Sequence, residues 1–316
     1  MTLREADYID LMCEEVGVPD APSGPGDDAA LSDERVTTVD LMVEDVHFVR
    51  AHPPLWLGHK LLAVNVSDIG AMGAVPKEFV LSAALPNDTP AAWWRALSRG
   101  VGRLARQTGA VLVGGDVTRS PGPVMLGVTL SGHLTLAKAL LRSGGRPGDL
   151  VMLHSPQGVG RSSLGLSEWM STSPQGWGGD TLSSPSPCLM AHLRPETSWS
   201  QGPWALRSGA HAGMDCSDGL FADVPRLAAQ SGLRIIMDLA LLPEDPILEG
   251  MESSERAAGG EDYGLLLLVP PEKEALFLAQ GYVTLGRTEH GVGVLWTYEG
   301  QALTSSEPSF KHFEAP

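Results

Sequence analysis

Residues 64–74 read VNVSDIGAMGA: small and apolar side chains around one carboxylate, Asp68. The stretch sits inside a longer segment, Pro54 to Met72, with Leu61, Val64, Ser67 and Ala71 recurring on one side at helical spacing. Asn65 and Asp68 are three residues apart and so are neighbours on one face of that helix. Upstream, VTTVDLMV (Val36 to Val43) is β-branched and apolar and reads as a strand, paired through the polar turn at 32–35 with a short strand at Ala29 to Leu31. Downstream, Glu78 to Ala84 is the next strand. Thr89-Pro90 then opens a helix with a hydroxyl cap and a first-turn proline. Trp94, Leu97, Val101, Leu104 and Ala105 form its packing stripe, and Gly109 is its stop. AVLV, Gly114-Gly115-Asp116 and the extended PVMLGVTLSGHL complete a first unit of mixed strands and helices.

A glycine-rich break, RSGGRPGD (Arg142 to Asp149), precedes the strand LVML, and the chain divides into expected domains at 1–135 and 136–316. Residues 155–209, rich in Ser, Pro, Gly and Trp, give the weakest pattern and hide some helix. Order returns at AGMDCSDG, followed by the helical FADVPRLAAQ, a stop at Gly232, the strand LRIIM, and a buried strand after GGEDY.

The bulk numbers narrow the function. The chain has 316 residues, 43% of them hydrophobic, which suffices for one large domain or two ordinary ones. Twenty-two basic against 38 acidic residues give a net charge of −16, which argues against nucleic acid or an anionic membrane as partner. No apolar run approaches membrane-spanning length, and the charged N-terminus lacks signal-peptide organisation, so a cytoplasmic protein is expected. The three cysteines are far apart and the histidines form no zinc pattern. None of the five lysines lies in a phosphate-binding GxxxxGK[ST] loop, and Gly100-Val101-Gly102 is an incomplete dinucleotide motif inside a helix.

What recurs instead is acid beside glycine or at the ends of apolar segments: Asp27-Asp28 in GPGDDAA, Asp40, Asp68, Asp116, Asp215, Asp218 and Glu261-Asp262. A single such residue is ordinarily a turn or a cap. Many together, with no His or Cys among most of them, form an oxygen-only donor set of the kind magnesium takes. Carboxylates holding Mg²⁺ would also let an acidic protein without a phosphate-loop lysine handle a phosphorylated substrate such as ATP.

GPGDDAAL, TTVDLMVEDVHF, HKLLAVNVSDIGAMGAVPKEF, LVGGDVTR, RSGGRPGDLV, MDCSDGLFADV and GGEDYGLL, in this order, resemble the thiamine-monophosphate kinase family of the aminoimidazole ribonucleotide synthetase-like superfamily. The resemblance runs from about residue 20 to 270. It implies a two-domain α/β (α+β) fold: an N-terminal domain sharing a barrel with a second subunit, a C-terminal α/β domain, and a site in the cleft between. It implies ATP and thiamine monophosphate as substrates, several Mg²⁺ ions and a homodimer. Asp28, Thr38, Asp40, Asp68, Asp116, Asp215 and Asp218 fall on metal positions. Gly115, Asp116, Arg142 and Ser217 fall on ATP positions, and His47, Glu261 and Phe310 on the substrate side. Asp27 is read as support for its loop or for a residue behind the metal site. No residue is assigned as a catalytic base, because the attacking phosphate oxygen is already mostly deprotonated at neutral pH.

The sequence departs from the family at Val39, where a hydroxyl is usual, at Pro225 inside a helix, and at Gly264, where an acid is common. The SPQGVGRSS loop also lacks the usual glycine-aspartate turn. Two competing readings are another ATP-using synthetase of the superfamily and a non-catalytic Mg-nucleotide-binding relative.

Overall fold

The computed structural model describes residues 5–18, 25–179 and 181–303. Helix α1 (Glu5–Val16) leads into a first sheet of β1 (Ala30–Ser32), β2 (Arg35–Val43), β3 (Ala74–Leu85), β4 (Val111–Arg119) and β5 (Met125–Leu134), in the order β1-β2-β5-β3-β4. Helices α2 (Pro54–Ala71) and α3 (Ala91–Thr108) cover one face of it. The β3–α3–β4 crossover joins a parallel pair, as a crossover connection requires, while the other pairs described in this sheet are antiparallel.

The second half contains β6 (Leu150–His154), α4 (Arg161–Ser171), α5 (Pro187–Leu193), α6 (Gln201–Ser208), β7 (Ala212–Cys216), α7 (Leu220–Ser231) and β8 (Arg234–Asp238). It ends with α8 (Ser253–Ala258), β9 (Gly264–Val269), α9 (Glu274–Leu278), β10 (Val283–Glu289), β11 (Gly293–Tyr298) and β12 (Gln301–Ala302). Its sheet runs β12-β11-β8-β10-β6-β9-β7, and its inner strands are covered on both faces, by α7 on one and by α6 and α9 on the other, while the β11–β12 edge is exposed. Every residue of β9, GLLLLV, is accordingly buried.

Helix α2 is enclosed on all sides: only Leu55 and Asp68 keep partial exposure. It crosses α3 at backbone contact. A Cβ at Gly58 would stand 2.0 Å from the Leu97 carbonyl oxygen, and one at Gly100 would stand 2.0 Å from that of Leu55. The Gly100-Val101-Gly102 run thus serves helix packing.

Several sequence expectations need correction. Thr89 does not cap α3: its hydroxyl donates to the Pro86 carbonyl at 2.7 Å, and Pro90 occupies the cap position. Trp93 is the tryptophan in the core, while Trp94 is half-buried beside it. Asp40, Asp68 and Asp116 lie inside β2, α2 and β4, not at their ends. Pro225 neither delays nor ends α7, which runs from Leu220 with the proline inside it. At Gly264 a Cβ would stand 2.9 Å from the His154 carbonyl, so the acid common in the family has no room here.

Gly58→Ala forces the α2–α3 crossing apart and is expected to lower stability by about 1–3 kcal/mol, seen as a lower Tm in thermal unfolding. An unchanged Tm would mean that the crossing yields freely.

Candidate functional site

A cleft of about 590 Å³ opens between the two halves, with acids at one end and apolar side chains along its wall. Asp40, Asp68, Asp215 and Asp218 stand at the acidic end with Ser217, while Phe48, Leu166, Trp169 and Met170 line the wall. His47, Lys60, His192, Glu261 and Tyr263 complete it.

The acids are brought together by strand period and cross-domain hydrogen bonds. Side chains alternate along β2, so Val36, Thr38 and Met42 are buried under α2 while Val39 faces away. Asp40 shares the Thr38 face, and the missing hydroxyl at Val39 belongs to the opposite one. Thr38 Oγ1 donates to Asp68 Oδ2 at 2.6 Å, joining sheet to helix. At the preceding residue, Ser67 Oγ donates to Asp215 Oδ2 at 2.9 Å, joining α2 to β7 of the other half. The Asp215 backbone N–H donates to Asp28 Oδ2 at 3.2 Å.

Asp27 and Asp28 divide one partner between them. The Arg142 backbone N–H donates to Asp27 Oδ1 at 2.6 Å, and the Arg142 guanidinium pairs with Asp28 through Nε at 3.0 Å and through Nη2. Asp27 therefore supports the loop, as expected. The Arg142 guanidinium is thereby engaged by a carboxylate.

This concentration of negative charge resists ionisation. Burial, and then the charges of Asp40, Asp215 and Asp28, push the Asp68 carboxyl well above the usual range. Burial and the Asp28 charge do the same for Asp215. Burial and Asp218 raise Asp40 to about 6, and burial raises Asp28 although Arg142 partly offsets it. Among the described residues no three His, Cys, Asp or Glu side chains already stand in metal-ligand geometry. The chemistry of the set nevertheless fits a hard divalent cation: oxygen donors only, mutually repelling, with Arg142 the cation paired to Asp28.

Two loops meet backbone to backbone beside the acids. A Cβ at Gly260 would stand 2.8 Å from the Ser217 carbonyl, and the Glu261 N–H donates to that same oxygen at 2.6 Å. Glu261 takes a left-handed φ of 63° and points its carboxylate at a lysine and a histidine: Lys60 Nζ lies 2.7 Å from Oε1 and His192 Nδ1 lies 2.9 Å from Oε2. Burial pushes Glu261 up, but Lys60 and His192 outweigh it and hold the carboxyl well below the usual range. Its neighbour Asp262 receives the Gly160 N–H at 2.7 Å at the start of α4, a structural role that sets the apolar wall in place. His47 Nδ1 accepts from the Val43 N–H at 3.0 Å, in a loop clamped by the two-pronged Arg50–Glu44 pair.

The structure does not bring every expected residue to this cleft. Asp116 and Gly115 lie on exposed β4, at the far edge of the first sheet. By register Asp116 pairs with Ser82, Ser82 with Gly127 and Gly127 with Leu41, which places Asp116 on the uncovered face, opposite Asp40. Phe310 lies outside the described residues. Lys60, His192, Asp223 and Arg226 were missed. Asp223 receives the Asp218 N–H at 3.0 Å and pairs with Arg226 at 2.9 Å. A lone lysine in an otherwise apolar helix was the one signal that pointed to Lys60.

Fold and site together define an AIR synthase related protein: the chain matches the N-terminal domain of that family over residues 26–134 and its C-terminal domain over 146–282. Thiamine-monophosphate kinase of Escherichia coli K12 is 33% identical over 314 residues, 94% of each chain. The solved structure of AaThiL complexed with AMPPCP and TMP superimposes with a TM-score of 0.84 at 30% identity, covering 99% of both chains. Thiamine monophosphate kinase from Aquifex aeolicus gives 0.81 at 30% identity, covering 95% of this chain and 97% of that one. The chain belongs to the thiamine-monophosphate kinase family.

The raised carboxyls make the cluster a source of instability when no cation is bound. A group whose folded pKa is raised loses stability as pH climbs from its unfolded value, near 3.8, through the folded one. Asp68→Asn is therefore expected to stabilise metal-free protein at pH 8 by about 1 kcal/mol or more, seen as a higher Tm, and to leave the Tm unchanged at pH 3.5. A lower Tm at pH 8 would contradict the assignment of strain to this carboxylate.

Proposed function

We propose that the protein transfers the γ-phosphoryl group of ATP to the phosphate of thiamine monophosphate, giving ADP and thiamine diphosphate. The observation that carries this reading is one cleft with an acid cluster at one end and an aromatic, apolar wall at the other. A heteroaromatic cation bearing a phosphate matches both ends.

An acceptor phosphate oxygen attacks the γ-phosphorus as the bond to the β–γ bridging oxygen breaks. The nucleophile is already an anion, so the task is to align two anions and offset their repulsion rather than to remove a proton. Asp28, Thr38, Asp40, Asp68, Asp215 and Asp218 are the residues proposed to hold Mg²⁺, which when bound supplies that neutralising charge. Arg142 and Ser217 are proposed for ATP, with Gly115 proposed for the same role from a second copy of the chain. His47 and Glu261 are proposed for the thiamine end, with Lys60 and His192 fixing the Glu261 carboxylate. Phe310 remains a proposal from sequence alone.

The uncovered face of the first sheet supports a homodimer. Val39, Leu41, Val80 and Val111 are all exposed there, with Val113 at the bulge of β4 beside them, a contiguous apolar surface of the kind that marks an interface. In such a dimer Asp116 of the partner subunit would complete the metal and ATP site. The proposed domain boundary remains at 135/136. Among the described residues no helix is long and apolar enough to cross a membrane, and a cytoplasmic location is proposed with the reading.

Incubation with Mg-ATP and thiamine phosphate should yield thiamine diphosphate, and thiamine, which lacks the acceptor phosphate, should yield none. Excess EDTA should abolish turnover, and Asp68→Asn should reduce it at least about a hundredfold at saturating Mg²⁺. Hydrolysis of ATP without thiamine diphosphate, or near-normal turnover by the variant, would sink the proposal. The dimer has its own check: Val111→Asp with Val113→Asp should halve the mass seen by light scattering, and an unchanged mass would locate the interface elsewhere.

A further inference from the structure

Behind α2, on the side away from the catalytic cleft, lies a second recess of about 360 Å³. Leu55, Trp56 and His59 of α2 form one wall, Arg103, Arg106 and Gln107 of α3 another, and Arg194, just after α5, closes the rim. Three guanidinium groups converge on it in a protein of net charge −16. Helix α3 carries four arginines (Arg95, Arg99, Arg103 and Arg106) and no acid. Among the described residues Arg103 and Arg106 have no carboxylate partner, and Arg194 meets only the exposed Glu196, at 3.6 Å. Most other arginines near the cleft are paired: Arg50 with Glu44, Arg142 with Asp28, Arg161 with Asp245, Arg226 with Asp223.

Uncompensated like charges repel, and the fold holds these three at one recess. His59 adds none: burial, and then the nearby Arg194 charge, lower its pKa to about 4, and its Nε2 bonds to the Pro195 carbonyl at 2.8 Å. The neutral ring, Trp56 and Leu55 give the recess a firm floor. Arg103 and Arg106 are one helical turn apart, roughly 4.5 Å along the axis, so their planar forks can grip adjacent phosphoryl groups. Lys cannot replace that two-pronged geometry, and the recess contains none.

We propose that this recess is a binding site for a small diphosphate-bearing anion, separate from the catalytic cleft. It stands independently of the kinase reading, since it uses none of the proposed catalytic or substrate residues. Its position is informative, because His59 and Lys60 are consecutive on α2 and face the recess and the cleft respectively. His192 and Arg194 are split in the same way.

The test is calorimetric titration of the full-length chain with inorganic pyrophosphate in EDTA at low ionic strength, which keeps any metal-dependent site out of play. The expected result is saturable one-to-one binding, weakened at least tenfold by Arg103→Gln with Arg106→Gln. Both side chains are exposed, so the double variant should melt at the wild-type temperature. Parallel titrations with ADP and with thiamine diphosphate identify which diphosphate ester the site prefers. No saturable heat, an unchanged Kd in the double variant, or sulfate binding as tightly as pyrophosphate would each overturn the site and leave a solvated basic surface.

Discussion

Everything in the site depends on a helix with no free side. Helix α2 packs on the first sheet, on α3, and on β7 and α6 of the second half, so almost no polar group on it escapes burial. Those it does carry are therefore bound to something definite: Asp68 to Thr38, Ser67 to Asp215, Lys60 to Glu261, His59 to Pro195. A fully enclosed helix cannot rotate without breaking all of these together. It acts as a fixed rod against which both halves of the molecule set their carboxylates.

Buried negative charge is destabilising unless paired, and here most of it is not paired within the chain. The second half offers a contrast in the same cleft, where Glu261 pairs with Lys60 and His192 and is held ionised. One cleft thus contains a carboxylate that readily ionises and several that resist it. The difference lies in neighbours rather than in depth, which is how two ends of one cavity acquire different chemistry.

Much of this was legible in the chain because it is periodic or uses residues with special backbone roles. The strand at 36–43, the helix at 54–72 and the glycine stops at Gly109 and Gly232 follow from local pattern. The 155–209 stretch did not, since α5 and α6 are only seven and eight residues long and are shaped by contacts across the fold. At Gly165, for example, a Cβ would stand 2.0 Å from the Cys188 carbonyl, a crossing that no window of sequence displays. The acids were recognisable by type, but Asp116 shows that type does not fix a face: strand order and register put it opposite Asp40. Lys60 and His192 meet over 132 residues of separation, counted from their numbers, and only the fold joins them.

The pairing of Asp27 and Asp28 with a single arginine has a mechanical side. Arg142 lies in the connection between the two matched domains, with its main chain tied to one acid and its side chain to the other. Ser231 adds a third tether by donating its hydroxyl to the Arg142 carbonyl at 2.7 Å. A swing of one half against the other would have to travel through this knot, so cleft width and the orientation of Asp28 are not separate degrees of freedom. Two like charges in sequence, joined to one residue at its two ends, behave as a gear between domain angle and site geometry.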